Sequence, residues 1–530
     1  MKMNDLPDQF LYARKGPWPQ PSPSHPLICA DEVLNIPPME ELLFNETIGA
    51  RYLKARVGYP AYAAQYAASM AGWRGVTAER FNQIMTETLF TRFRVEMQDE
   101  ELEACRAAFA KDDDGPEMGK ALETGTWTKY DFSAMKKIVP LDGMHVAPTK
   151  VYFEEDATGR NLCRVIEVDG LLVRDTDSSF GIAMVYALQG ASYHVLFVVH
   201  PALHFPMNSV NAITKTALPM NHPIFQMFLP HSAYSLALDN AVLESAESVV
   251  NNNAQGTRFD PLTGNAYNLK LLFGAGYAGL TEREGYDPRA YPRYNYMKPQ
   301  MADSEHPLFH SFYGTWLARY YEEAFLPFCK IVADYIKDPA NDPMMEYTRL
   351  WAKYLHTHVH GFPNADQIGE GDTLAKVMAI YMWNASVSHG GDHWSFSNQI
   401  TAVEKCLRIR RPPPKTRTEA EVDNAKERIF SPNDMQRAAL CQYMFFQAWA
   451  IEPNLFETRY ALPDYGLQQA AMAFTENLSA VNAGLLQRVA PSTSPDGPSA
   501  VTNCQPLHPI MDGDTTIVPY ERTIPQSIQY

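Results

Sequence analysis

The chain has 530 residues, 46% of them hydrophobic and 20% charged, with a net charge of −16. That is the composition of a globular protein, long enough for two or three ordinary domains or one large one, and its acidic balance disfavours nucleic acid and anionic membrane surfaces as partners. Aromatic residues reach 12%, which points to a large core or a spacious apolar pocket.

Residues 1–38 are proline-rich and read as an extended arm. The start has no apolar signal-peptide core. The seven cysteines are scattered without a CxxC pair, as expected of reduced thiols in a reducing compartment. A cytoplasmic location is therefore expected. From "PMEELLFNETIGARYLKARV" to "ELEACRAAFAKD" apolar residues recur three and four apart, which predicts helices. "KDDDGPEMG" reads as an exposed loop. "TKVYFEEDATGRNLCRVIEVDGLLVRD" has β-rich runs around two turn signals and predicts a small hairpin or three-stranded sheet.

"SSFGIAMVYALQGASYHVLFVVHPALHF" is apolar nearly all round, the pattern of a helix buried in the centre of a large domain. Its longest apolar stretch, around "YHVLFVVHPALHF", is too short and too interrupted to predict a transmembrane segment. "HPIFQMFLPHSAYSLALDNAVLESAESVV" predicts one long amphipathic helix, and "NNNAQGTRFDPLTGNAYN" a loop. Helices follow in "PLFHSFYGTWLARYYEEAFLPFCKIVADYI", "MMEYTRLWAKYLHTHVHG" and "DTLAKVMAIYMWNASVSHGG", the last again apolar on most faces. "RIRRPPPKTRTEAEVDNAKER" reads as exposed and charged, and helices continue to about Val489. The fold class is mainly α: one large helical domain over residues 39–530 with a small β subdomain.

Two histidine pairs stand four apart, His200 with His204 and His389 with His393. On a helix such a pair can reach one ion, and each lies in one of the two most apolar helices, where imidazoles need hydrogen-bond partners or a metal. The pairs therefore predict a shared site. Neither is HExxH, since Pro201 and Gly390 fill the second position, so the zinc-protease base is missing. A site made mainly of imidazoles suits iron, manganese, copper or zinc. Pro201 is expected to disrupt its helix beside a ligand. Gly390 and Gly391 are expected to admit a close neighbour. Asp392 reads as an outer or surface carboxylate rather than a ligand. His356, His358 and His360 fall at a helix end and face different ways, and His222 and His231 read as capping or core residues.

The segments "YHVLFVVHPALH…NHPIFQMFLPHSAYSLALDNA", "GFPNADQIGEGDTLAKVMAIYMWNASVSHGGDHWSF" and "TIPQSIQY" resemble, in order, the two ligand helices and the ending of the lipoxygenase family, over about residues 135–530. The resemblance implies a mostly helical catalytic domain around one non-haem iron, with manganese also suited to such ligands. It implies ligation by histidines of the two central helices and by the terminal carboxylate: His204 and His389 match directly, His393 falls where the family has His or Asn, and Tyr530 brings its α-carboxylate to the place of the usual terminal isoleucine. It also implies hydrogen abstraction from an unsaturated small molecule and addition of O2 to give a hydroperoxide.

Departures from the family are specific. Val199 falls where the family's leading ligand stands, so His200 is one residue late and serves only if Pro201 shifts the local register. Val195 and Phe396 replace glutamines that link ligands to substrate in the family. Val242, Leu243 and Glu244 follow "DNA" where an arginine is usual, and no N-terminal β-sandwich precedes the helices. These changes leave two other readings: the same fold and metal acting on a small non-lipid metabolite, or a non-catalytic relative that binds.

Overall fold

A computed structural model describes residues 36, 38–71, 75–112, 115–156, 158–244, 286–299, 311–398, 407–418, 429–435, 454–489, 510–511, 517–518 and 524–528. The expected arm at 1–38 lies outside them apart from its last residues. So do the loop at 251–268 and most of 419–453.

Helices α1 (Pro38–Ala71), α2 (Ala78–Glu87), α3 (Asp99–Phe109) and α4 (Gly115–Thr124) lead the chain. α2 begins at Thr77, whose side chain accepts from the Arg80 amide and so satisfies one free N–H of the first turn. The expected loop "KDDDGPEMG" is corrected in part, because its second half is the first turn of α4. Met118 and Leu122, four apart, bury α4 against Cys105 and Phe109 of α3, and that apolar repeat outweighs the glycines.

The small sheet is larger than expected. Strands β1 (Val95–Glu96), β2 (Thr126–Asp131), β3 (Thr149–Glu155), β4 (Asn161–Val168) and β5 (Leu171–Arg174) pair antiparallel in that order. Both predicted turns are present. Asp156 accepts from the Thr158 and Arg160 amides between β3 and β4. Asp169 and Gly170 take positive φ between β4 and β5, the pair a two-residue hairpin requires. β2 escaped notice because "TWTKYD" is buried along nearly its whole length, which erases the alternation of a half-exposed strand.

α5 (Phe180–His194) continues through a π-helical segment, Val195–Val199, into α6 (His200–Ala217). The unbroken run Phe180–Ala217 has 38 residues, long and apolar enough to cross a membrane by length and composition, but 89% of its most apolar stretch is buried inside the protein. The expectation that this segment is too short to span is therefore corrected. The run is a core helix, apolar on all sides because protein surrounds it. Pro201 does not break α6. It has no N–H to bond back into the run, and the helix widens into a π turn, Val195–Val199, directly before it, so the expected disturbance is a change of register and not a break.

The expected long helix after "NHP" is two helices, α7 (Pro223–His231) and α8 (Ser235–Glu244). Tyr234, at φ +64°, turns the chain between them. α9 (Phe312–Tyr320), a π-helical segment Tyr321–Phe325, α10 (Leu326–Lys337) and α11 (Asp342–His358) follow. α12 (Thr373–Trp383) runs through a second π-helical segment, Asn384–Ser388, into α13 (His389–Asn398). α14 (Tyr465–Val489) packs on α10 through Phe474 and Phe328. Arg408, expected on an exposed stretch, is instead buried beside Asp434 at 3.6 Å.

Several histidines are locked into this core as neutral rings. His222 caps α7, its Nδ1 accepting from the Ile224 amide, and His231 bridges the Gln526 carbonyl and the Tyr460 hydroxyl. Both therefore do the capping and core work expected of them. Burial lowers His194, His222 and His231 from near 6.5 to about 4. The unfolded chain takes up these protons first as the pH falls, so stability is complete above about pH 7 and drops between 6.5 and 4. Each ring contributes roughly 3 kcal/mol to that drop at the acid limit. Urea unfolding at pH 7.5, 6.0 and 5.0 should show the midpoint falling at each step. A flat profile would mean that these rings are not buried neutral.

Candidate metal centre

The two π-helical segments do the same job in the two central helices. Each adds part of a turn just before a histidine pair, so His200 and His389 both begin a new α-helical register. This answers the question raised by Val199. The extra residue of the π turn carries His200 into the position that Val199 would hold in a regular helix, and Val199 turns to line a neighbouring cavity. Asn384, in the second segment, ties it to α6, its Nδ2 donating to the Leu203 carbonyl at 2.9 Å.

His200, His204, His389 and His393 converge, with their ligand atoms all within 4.8 Å of one another. The Nε2–Nε2 separations are 3.0 Å for His200–His204, 2.9 Å for His204–His389 and 3.1 Å for His200–His393. Two imidazole nitrogens bound at right angles to one ion at ~2.1 Å would stand ~3.0 Å apart. His356, at the end of α11, bonds the Phe362 carbonyl and takes no part. Tyr530 lies outside the described residues.

The tautomers strengthen the case for a cation. His204 donates Nδ1–H to Asp239 at 2.8 Å, and His200 turns Nδ1 toward Asp392 at 3.5 Å. Each ring then presents its Nε2 lone pair inward. Lone pairs 3.0 Å apart repel unless a positive charge stands between them, and carboxylate-anchored imidazoles of this kind are the usual surroundings of a bound metal. Burial holds His389 well below its ordinary pKa, with the neighbouring rings His204, His393 and His200 adding to the effect. His200 is lowered as well, first by burial. Neutral imidazole is the ligating form, so this donor set fits a non-haem iron or manganese ion.

Asp392 is buried, not superficial. Arg92 Nη1 donates to both its oxygens at 2.7 and 2.9 Å, and the Tyr313 hydroxyl donates to Oδ1 at 2.7 Å. Burial alone would raise the Asp392 carboxyl. The Arg92 charge and the bonds from His200 and Tyr313 hold it below the ordinary value instead. The roles of Arg92, Asp239 and Tyr313 are not legible in the sequence. Arg92 stands 300 residues from Asp392 on a short 3-10 turn and carries no motif. Asp239 at least lies in "LALDNA", inside a motif already singled out.

The glycines between the ligands meet two neighbours. A Cβ on Gly390 would lie 2.9 Å from Pro525, and one on Gly391 would lie 2.7 Å from the Trp316 ring. The chain's tail and α9 thus press against α13 where side chains are missing. The tail is pinned there. Ile524 O accepts from the Leu455 amide at 2.9 Å, and Ser527 Oγ donates to the Ala233 carbonyl at 2.9 Å.

No protein-family model matches the chain, and no curated protein matches it. Solved structures do. The manganese lipoxygenase of Gaeumannomyces graminis is 12% identical, with the match covering 98% of this chain and 96% of that one at a TM-score of 0.67. Coral 8R-lipoxygenase is 14% identical over 97% of this chain and 79% of its own, at 0.63. A lipoxygenase variant solved with arachidonate is 14% identical over 98% and 80%, at 0.66. Identity this low establishes the fold and leaves the reaction to the site. The chain has the fold of the lipoxygenase catalytic domain, as its two ligand-helix motifs implied.

Proposed function

We propose that this protein is a non-haem metal oxygenase that removes hydrogen from an unsaturated small molecule and adds O2 to it, giving a hydroperoxide. The observation that carries the reading is the inward convergence of four imidazole nitrogens, one of them on a ring hydrogen-bonded to a buried carboxylate. A bound iron or manganese ion would supply the one-electron redox and dioxygen chemistry, which no side chain here offers.

The chain's residues have separable tasks in this reading. His200, His204, His389 and His393 hold the ion. The tail that reaches Gly390 supports keeping the terminal carboxylate of Tyr530 in the donor set. Asp239 fixes the His204 tautomer, Asp392 stands beside His200 Nδ1, and Arg92 balances the Asp392 charge. Phe93, Tyr291 and Trp383 wall a cavity beside the first turn of α6, where apolar rings exclude water from a substrate. The non-catalytic alternative was motivated by Val199, and His200 in the cluster removes that motive.

The test is dioxygen uptake by protein expressed in iron- or manganese-supplemented medium. The panel should contain conjugated and skipped dienes, both short-chain and C18. Uptake with peroxide formation on at least one diene is expected. No uptake across the panel by protein that carries one metal per chain would sink the proposal.

A further inference from the structure

We infer that the cavity beside the metal centre is a binding site for a compact organic carboxylate, anchored by Arg293. The oxygenase reading matters here only for what happens to that ligand after it binds.

Size is the first argument. The cavity holds about 140 Å³. An apolar cavity of ~150 Å³ accepts a benzene molecule, so this space takes one ring or a short conjugated chain. A C18 chain would extend beyond it.

Charge is the second. Three cations line the cavity, Arg92, Arg293 and Lys298, and among the described residues no carboxylate does. In a chain of net charge −16 that local excess runs against the whole surface, and a wall of one sign concentrates the opposite charge. Arg92 is already matched by Asp392. Lys298 is exposed and stands at the rim.

Arg293 is the decisive residue. It is half-buried, and its Nε is shielded from water without a hydrogen-bond partner. No ion pair involves it among the described residues. Other arginines here also hold a shielded nitrogen without an acceptor, but Arg106, Arg164, Arg174 and Arg408 each pair with a carboxylate elsewhere on the guanidinium, and the Arg293 fork matches a carboxylate in two parallel bonds. The opposite wall is apolar and belongs to the ligand helices: Val198, Val199 and Ala202 on one, Ile380 and Trp383 on the other. A ligand gripped at Arg293 would therefore lay its unsaturated part toward the turns that begin with His200 and His389.

The probes are sorbate, benzoate and cinnamate, their neutral amides, and linoleate. Binding is read by calorimetry on metal-replete protein, wild type, Arg293→Gln and Arg293→Lys. At least one compact carboxylate should bind about tenfold or more tighter than its amide. Arg293→Gln should erase that preference without weakening the amide, and Arg293→Lys should keep part of it. Equal affinity for acid and amide, equal losses of both in Arg293→Gln, or binding of linoleate alone would overturn the inference. Oxygen uptake in the same samples reads the oxygenase proposal separately. Arg293-dependent binding without uptake supports this site and defeats that proposal, and uptake without Arg293-dependent binding does the reverse.

Discussion

Replacing His389 with alanine is expected to strip the metal from the protein. Wild type purified without chelator should carry about one iron or manganese per chain, and the variant less than about a tenth of that. The reason is position. His389 is fully buried, and its Nε2 lies 2.9 Å from that of His204, so it joins the α13 pair to the α6 pair. Losing a residue that only supports a ligand lowers metal affinity 10–100-fold, and losing a ligand should exceed that, by at least about a hundredfold. His356→Ala is the control, since that ring bonds a backbone carbonyl away from the cluster. Plasma mass spectrometry gives the metal, and far-UV circular dichroism shows whether the helices survive. A His389→Ala protein that retains a full metal complement would overturn the four-histidine site.

Arg92→Met should be the most destabilising single change near the centre. It removes the cation from a buried ion pair at 2.7 Å and leaves Asp392, 1% exposed, without its main counter-charge. Breaking such a pair from one side costs about 3–5 kcal/mol, because the remaining charge stays in a medium that solvates it poorly. Arg92→Met combined with Asp392→Asn removes both charges and should recover most of the loss, a coupling that a double-mutant cycle measures. Urea unfolding is the readout. The same substitution should weaken metal binding by about 10–100-fold, since Asp392 orients His200. Stability within about 0.5 kcal/mol of wild type would show that Arg92 is not the partner that keeps Asp392 ionised.

Both predictions turn on how little of an outer shell a sequence displays. The four clustered histidines were legible because helical geometry makes spacing informative. Two histidines four apart share a face of any helix, and an all-apolar helix has to be central. Asp392 was visible too, yet its burial was not. A lone carboxylate in a glycine-rich turn reads the same whether water or an arginine answers it. The arginine that does answer comes from a segment with no pattern of its own.

The amino-acid order by itself determined the helical class, the two central helices, the hairpin turns at Asp156 and Asp169, and the two histidine pairs. All of these follow from periodicity or from backbone preferences that act within a few residues. It also marked Gly390 and Gly391 as places of close approach, without saying what approaches. Tertiary structure decided the rest. It turned Val195–Val199 and Asn384–Ser388 into π turns, which set His200 rather than Val199 in the cluster, because packing between crossing helices selects a register that local propensity leaves open. It buried β2 on both faces and hid the strand's alternation. It brought Arg92 to Asp392, Asp239 to His204 and the tail to Gly390. Such contacts join segments far apart in the chain, and their energies depend on distance and burial, which the order of residues does not carry.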